Sequence, residues 1–328
     1  MTKIAIIGAG LSGLTLARRL QGQAEITVFE KSRGVSGRMS TRYAGEYEFD
    51  HGAQYFTQKD EAFRSFLAAE DLAGFAPSWP VDIHVLDARH PKDYSQFAQD
   101  KARYVSAPRM NALCKALARD LNICLKTQIT VIEREQGDMW MLGTPEGERL
   151  GPFDWVISSA PAPQSRALMP EVFSGHAALS KVKIQGCFSL MLGFQTPLLL
   201  PFSAARISHS PIGWITVNSE KPGRKGGYSL LIQSTNDWSE EHMETDLEEA
   251  KEILLRHGST LCERDLTSAE YISVHRWRYA ATAQPLGSDY LMDDAHKLAA
   301  CGDWCLGARI ENAFTSAYAL AKAVQARL

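Results

Sequence analysis

Gly8-Ala9-Gly10-Leu11-Ser12-Gly13 follows directly on an apolar run, Ile4-Ala5-Ile6-Ile7, and opens a helical pattern of Leu14, Leu16, Ala17 and Leu20. Seventeen residues after Gly13, at the end of a second strand-like run (Ile26-Thr27-Val28-Phe29), stands Glu30. Strand, glycine turn, helix, strand, acid is the order that binds a dinucleotide. Gly8 permits the tight turn, Gly10 lets backbone approach a pyrophosphate, and Gly13 lets the helix pack close to the sheet. Ser12 and the helix-start amides face the phosphates with the positive end of the helix dipole. Glu30 can accept hydrogen bonds from ribose hydroxyls.

The residues after Glu30 bear on which dinucleotide is bound. Lys31-Ser32-Arg33-Gly34-Val35-Ser36-Gly37-Arg38-Met39-Ser40-Thr41 is a second loop rich in glycine and arginine. An NAD domain has no need of it, whereas FAD oxidoreductases of the amine oxidase and glutathione reductase type place such a loop over the pyrophosphate. Arg38 is then a candidate phosphate contact, since a guanidinium pairs well with phosphate oxygens, and Lys31 and Met39 flank it. Leu298-Ala299-Ala300-Cys301-Gly302-Asp303 reads as a strand ending in Gly-Asp, followed by a helix through Leu328. In FAD proteins of this kind Asp303 would bind the ribityl or pyrophosphate region. The amides of Arg309, Ile310 and Glu311 would face the flavin pyrimidine ring, where a reduced flavin gathers negative charge. Asp303 could equally be a helix N-cap.

These elements must be carried by a larger frame. The chain has 328 residues, a net charge of −3 and 22% charged residues, which suits a globular protein of one or two domains and gives no basic block for nucleic acid. The first strand begins at Lys3, leaving no room for a signal sequence. The longest apolar stretch, Phe188 to Phe202, is interrupted by Gly193, Gln195, Pro197 and Pro201, so no membrane segment is expected. The six cysteines form no C-x-x-C pair, so a cytoplasmic protein with reduced thiols is expected. Covalent flavin attachment at Cys301 or Cys305 ranks below a structural role. No metal-ligand spacing stands out.

The fold class expected is α/β. An FAD-binding Rossmann-like domain would comprise residues 1–56, 104–165 and 285–328. A mostly antiparallel β domain with helices, residues 57–103 and 166–284, would bind substrate. Within the first, Met110, Leu113, Leu117 and Leu121 are spaced as a helix that starts near Pro108. Ile129-Thr130-Val131-Ile132 reads as a strand passing the adenine, so Ile129 and Val131 are cofactor candidates. A hairpin is expected around Gly137 and a turn over 145–151. Within the second, strand-like runs cover 186–194, 204–217, 228–235 and 270–277, with a helix over 246–257. The active site should lie between the domains.

Three segments together carry a family resemblance. Asp50-His51-Gly52-Ala53-Gln54-Tyr55-Phe56-Thr57, His275-Arg276-Trp277-Arg278-Tyr279-Ala280 and Gly302-Asp303-Trp304 through Ala313 resemble the renalases of bacterial type. Those are small FAD oxidases of the amine oxidase and p-hydroxybenzoate hydroxylase fold group. The resemblance spans nearly the whole chain and implies non-covalent FAD. It also implies oxidation of the 2- and 6-dihydro isomers of NAD(P)H to NAD(P)+, with hydride passing to flavin N5 and O2 reoxidising the flavin to give H2O2. The substrate would be a small dinucleotide, and the oligomeric state stays open.

A dihydronicotinamide is already a hydride donor, so such a site needs positioning more than a general base. No general base is assigned, and Tyr55 and Trp277 are the candidates closest to the chemistry. Gln54 should run beside the flavin, and Tyr55, Phe56 and Thr57 could meet the substrate. His275, Trp277 and Arg278 end a strand, and Arg278 or Arg309 could hold a substrate phosphate. Tyr94 and Gln96, in a loop reaching Phe97, could line the entrance. His51 is a candidate proton relay or a structural histidine. Two other classes remain open: a flavin amine oxidase, for which no lysine near N5 is found, and a non-catalytic flavin- or nucleotide-binding protein. A desaturase or isomerase with an apolar tunnel is a further option.

Overall fold

Ile4, Ala5, Ile6 and Val28 are fully buried, as central strands of a parallel sheet covered on both faces must be. In the computed structural model, which describes residues 1–69, 71–96, 102–135 and 138–328, they lie in a six-stranded sheet. Its order is Leu291–Asp293, Leu298–Ala300, Trp155–Ser158, Lys3–Ile7, Glu25–Glu30 and Ile123–Leu125. All its pairings are parallel except that of the two C-terminal strands. The helices Leu11–Leu20 and Ile310–Gln325 cover one face, where Leu14, Leu16, Phe314 and Leu320 share a core.

The second sheet has seven strands. Their order is Tyr271–Gln284, Lys183–Phe194, Tyr228–Ser234, Ile212–Val217, Ala204–Ser208, Ile83–Asp87 and His90–Gln96. It is antiparallel except between Ala204–Ser208 and Ile83–Asp87. The helix Leu247–Cys262 packs on it through Ala250, Leu254 and Leu261, and Asp246 caps that helix by accepting from the Glu248 amide. A three-stranded sheet, Arg149–Phe153, Trp140–Gly143 and Val131–Arg134, and a hairpin, Arg42–Ala44 with Tyr47–Phe49, complete the strands described. No helix among the described residues is long and apolar enough to cross a membrane.

The α/β architecture with a mixed second sheet is therefore as expected, and several local expectations are corrected. The strand expected over 204–217 is a hairpin of two strands, because Ser210-Pro211 turns the chain. The strand expected over 270–277 runs on to Gln284. The helix expected from Pro108 spans only Ala112–Leu117. The turn expected over 145–151 is shorter, with strand resuming at Arg149. Gly137 lies outside the described residues, although the strands on either side of it do pair antiparallel.

Two segments between the sheets pack into shared cores. Phe63, Leu67 and Leu72 join the core of Leu14 and Phe314, and Met169, Phe173 and Leu179 join that of Ile7 and Trp304. The first of these cores also takes in Ile83 and Ala204 of the seven-stranded sheet, so it runs between the two sheets.

Candidate active site

Gly8 turns the chain with φ +106°, and a Cβ on Gly13 would stand 2.0 Å from the Gly8 carbonyl oxygen, so the helix start lies tight against the strand end. Nothing lies within 4 Å of the Cβ position on Gly10. No side chain caps the helix Leu11–Leu20, and its first turn holds no acid, so its leading amides are left for a ligand. Glu30 is fixed beside them: the Ala9 amide donates to its Oε2 (2.9 Å) and the Ser32 amide to its Oε1 (2.8 Å). The second helix aimed this way, Ile310–Gln325, is also uncapped at Arg309. Ser12 Oγ donates to the Ala313 carbonyl (2.9 Å), locking the two helix starts together.

Both helix starts open onto a single cavity of about 2060 Å³ between the two large sheets, well above the ~300–1,000 Å³ of an ordinary ligand pocket. Gly8, Gly10, Ser12, Glu30, Lys31, Arg38, Met39, Gln54, Ile129, Asp303 and Ile310 all border it. So do Tyr55, Phe56, Thr57, His275, Trp277, Arg278 and Arg309. The residues present fit a flavin dinucleotide: two uncapped helix starts, an open glycine and the Glu30 carboxylate converge on one space.

Several side chains are committed in ways the sequence did not reveal. The Arg38 guanidinium is held in a two-point pair with Asp303 (2.6 and 3.0 Å) and donates to the Ala280 carbonyl (3.1 Å). Arg38 therefore joins the glycine loop, the long strand of the second sheet and the C-terminal segment. Asp303 acts as its partner; no side-chain capping bond is made at that turn. Met39 is buried in the core. Val131 heads a strand of the separate three-stranded sheet, is 46% exposed and does not border the cavity; Ile129 does. Phe56 borders the cavity, but its ring is only 3% exposed and packs on Phe63 and Tyr104, so core packing claims it. Arg278 turns outward to Glu244. Thr57 donates to Glu311 (3.4 Å). Tyr94 and Gln96 lie in an edge strand rather than a loop, and Phe97 lies outside the described residues. Cys301 and Cys305 are fully buried, and burial pushes the Cys301 thiol far up and that of Cys305 to about 12.

Beneath the 50–57 loop lies a buried polar network. Gln54 Nε2 donates to the carbonyls of Asp50 (2.7 Å) and Gly52 (2.9 Å), and its Oε1 accepts from Lys221 Nζ (3.0 Å). Asp50 accepts from Arg224, Thr41 and the Met110 amide. Burial would raise the Asp50 carboxyl, but Lys221 and Arg224 outweigh it and hold it low. Burial brings Lys221 down to about 8.

His51, His275 and Trp277 form a cluster at the wall, with ring centroids 4.5–5.1 Å apart, and the Trp277 indole donates to the His51 carbonyl (2.8 Å). Burial first, then Arg42, lowers His275 to about 4; burial, His275 and Arg42 lower His51 to about 3. Both are neutral at pH 7. Sequence reasoning missed Arg206, Trp214 and Gln233, which border the cavity from the second sheet. A lone arginine in the run Ala204-Ala205-Arg206-Ile207 was the available signal.

Comparison with known proteins assigns the family. The family described as flavin containing amine oxidoreductase matches residues 86–325, and an NAD(P)-binding Rossmann-like domain matches residues 6–69. The chain belongs to the flavin containing amine oxidoreductase family. Its cofactor is FAD, and it is an oxidoreductase by family. A crystal structure named for protoporphyrinogen oxidase, from Exiguobacterium sp. 255-15, superposes with a TM-score of 0.80 at 14% identity, covering 100% of this chain and 99% of that one. A single-substitution variant of putrescine oxidase superposes with a TM-score of 0.74 at 11% identity and complete coverage of both chains. These likenesses are of fold. The 4,4′-diapophytoene desaturase of Staphylococcus aureus (strain Newman) is 47% identical over 51 residues, which is 15% of this chain and 10% of the desaturase. Among the described residues no group of three or more metal-ligating side chains occurs.

Proposed function

We propose that this flavoprotein oxidises an anionic dihydronicotinamide dinucleotide, the 2- or 6-dihydro isomers of NAD(P)H, to NAD(P)+ with O2 as final acceptor. The observation that carries this reading is charge. Among the described residues eleven basic and three acidic residues border the cavity, and nine of the basic ones remain once Arg276 and Arg278, whose guanidinium groups are bound elsewhere, are set aside, in a chain whose net charge is −3. The flavin's own pyrophosphate accounts for part of the excess, on the side of Lys31, Arg33 and Arg38. Arg206 lies across the cavity on the second sheet, beyond that cradle, whereas Arg276 donates to the Met243 and Thr245 carbonyls and Arg278 pairs with Glu244. Such a field concentrates anions and repels ammonium ions, which disfavours an amine substrate.

Bound FAD supplies hydride acceptance and passes electrons to oxygen. The chain's own residues position and enclose. Trp277, fixed by its bond to His51, supplies a flat wall for a planar ring. The neutral histidines lie far below the pKa near working pH that suits a general base. That agrees with a donor whose aromatisation drives hydride loss without proton removal.

The deciding experiment mixes the oxidised protein, without oxygen, with a borohydride-reduced NAD preparation rich in the 2- and 6-dihydro isomers. The flavin absorbance is followed, with ordinary NADH and a panel of amines alongside. Rapid bleaching by the isomers alone, reversed by air with H2O2 formed, is expected. Bleaching by an amine instead would reassign the protein as an amine oxidase, the activity carried by the putrescine oxidase name.

A further inference from the structure

We infer that Arg206 and Trp214 form a subsite for the adenosine-phosphate half of the substrate, at the far end of a row of side chains leading away from the His275 cluster. This rests on the dinucleotide reading above. The row is set by strand register. His275 lies opposite Ser189, Ser189 opposite Gln233, Gln233 opposite Trp214, and Trp214 opposite Arg206. Directly opposed residues share a face of the sheet, so all five point the same way. The face is the one toward the flavin loop: Ser189 Oγ donates to the His51 carbonyl (2.7 Å) and Gln233 Nε2 to the Gly52 carbonyl (2.8 Å). Four strand spacings separate His275 from Arg206, roughly 19 Å at ~4.8 Å each, a span on the scale of an extended dinucleotide.

The end of the row has the chemistry for that ligand. Trp214 is partly exposed, borders the cavity and is held by an indole bond to Thr216 and by the Tyr55 ring 5.7 Å away. It is an immobilised flat surface for a purine. Arg206 is exposed on the same face in the neighbouring strand, so its guanidinium reaches the phosphates of a base resting on Trp214. The phosphate is either the pyrophosphate or, in an NADP-derived substrate, the 2′-phosphate.

The test compares wild type, Arg206→Ala and Arg206→Lys, each loaded with FAD. Substrates are dihydro isomers of NAD, of NADP and of nicotinamide mononucleotide, which lacks the adenosine half. Wild type should show a KM at least about tenfold lower for the dinucleotides than for the mononucleotide. Arg206→Ala should abolish that preference by raising the dinucleotide KM tenfold or more, with a limiting flavin-reduction rate within about twofold, and Arg206→Lys should restore part of it. A larger effect for the NADP isomers would place Arg206 at the 2′-phosphate, and an equal effect at the pyrophosphate. Equal KM changes for dinucleotide and mononucleotide, or none, would overturn the subsite. If no dihydronicotinamide reduces wild type, the proposed function fails. The subsite is then judged by calorimetric titration of ADP into the FAD-loaded protein: binding lost in Arg206→Ala upholds it, and no binding to wild type removes it.

Discussion

His51 and His275 meet ring to ring, and their surroundings settle their charge: burial first, then Arg42, opposes protonation of both, and at His51 these together with His275 outweigh Asp50. Their folded pKa values of about 3 and about 4 lie below the ordinary 6.5. Between about pH 3 and 6.5 the unfolded chain therefore binds more protons, and stability must fall as pH drops through that window. Urea unfolding of wild type at pH 7 and pH 4 should show this loss, and His51→Met should reduce it by on the order of 2–3 kcal/mol. Parallel losses in the two proteins would mean that His51 is not neutral when folded. At this scale the sequence was legible where chemistry is local. Gly8, Gly10, Gly13 and Glu30 are close in the chain, and their spacing alone implied their contacts. Arg206, Trp214 and Gln233 were not legible, because their adjacency is made by register between strands. Lys221 was hidden too, since its partners Gln54 and Asp50 are far away in the chain.

The glycine-turn helix shows how one element serves both fold and ligand. A Cβ on Gly13 collides with the Gly8 carbonyl, whereas one on Gly10 meets no protein atom. Gly13→Ala should thus destabilise even the flavin-free protein, by about 1–3 kcal/mol as overpacking does. Gly10→Ala should leave flavin-free stability unchanged and lower FAD retention. Thermal melts of the stripped proteins, with flavin content after dialysis, separate the two; identical melts would contradict the close contact at Gly13. Strands and helices of the six-stranded sheet were legible because apolar runs and glycines punctuate them. The ends were less so. The strand Tyr271–Gln284 continues past its aromatic run because Lys183–Phe194 offers it a partner along most of its length. Phe63 packs on Phe56 and Phe314, in a core that also takes in Ile83 and Ala204 of the seven-stranded sheet.

For the whole molecule, net charge misleads. A formal −3 describes the surface as a sum, while the space between the sheets is basic. If anions are drawn into it, raising salt from about 20 to about 300 mM should raise the KM for a dinucleotide several-fold as screening shortens the field's reach. A salt-independent KM would count against steering. The joining of Arg38 to Asp303, and of Ser12 to Ala313, has a consequence for the order in which the protein is made. The glycine turn and Arg38 leave the ribosome early, but their partners follow almost three hundred residues later. At ~5–20 residues per second that delay is roughly 15–60 s. Throughout that interval the nascent chain displays a half-built cradle whose apolar helix awaits Phe314 and Leu320. Flavin should therefore be retained by the released full-length chain and not by ribosome-bound chains stalled before Asp303.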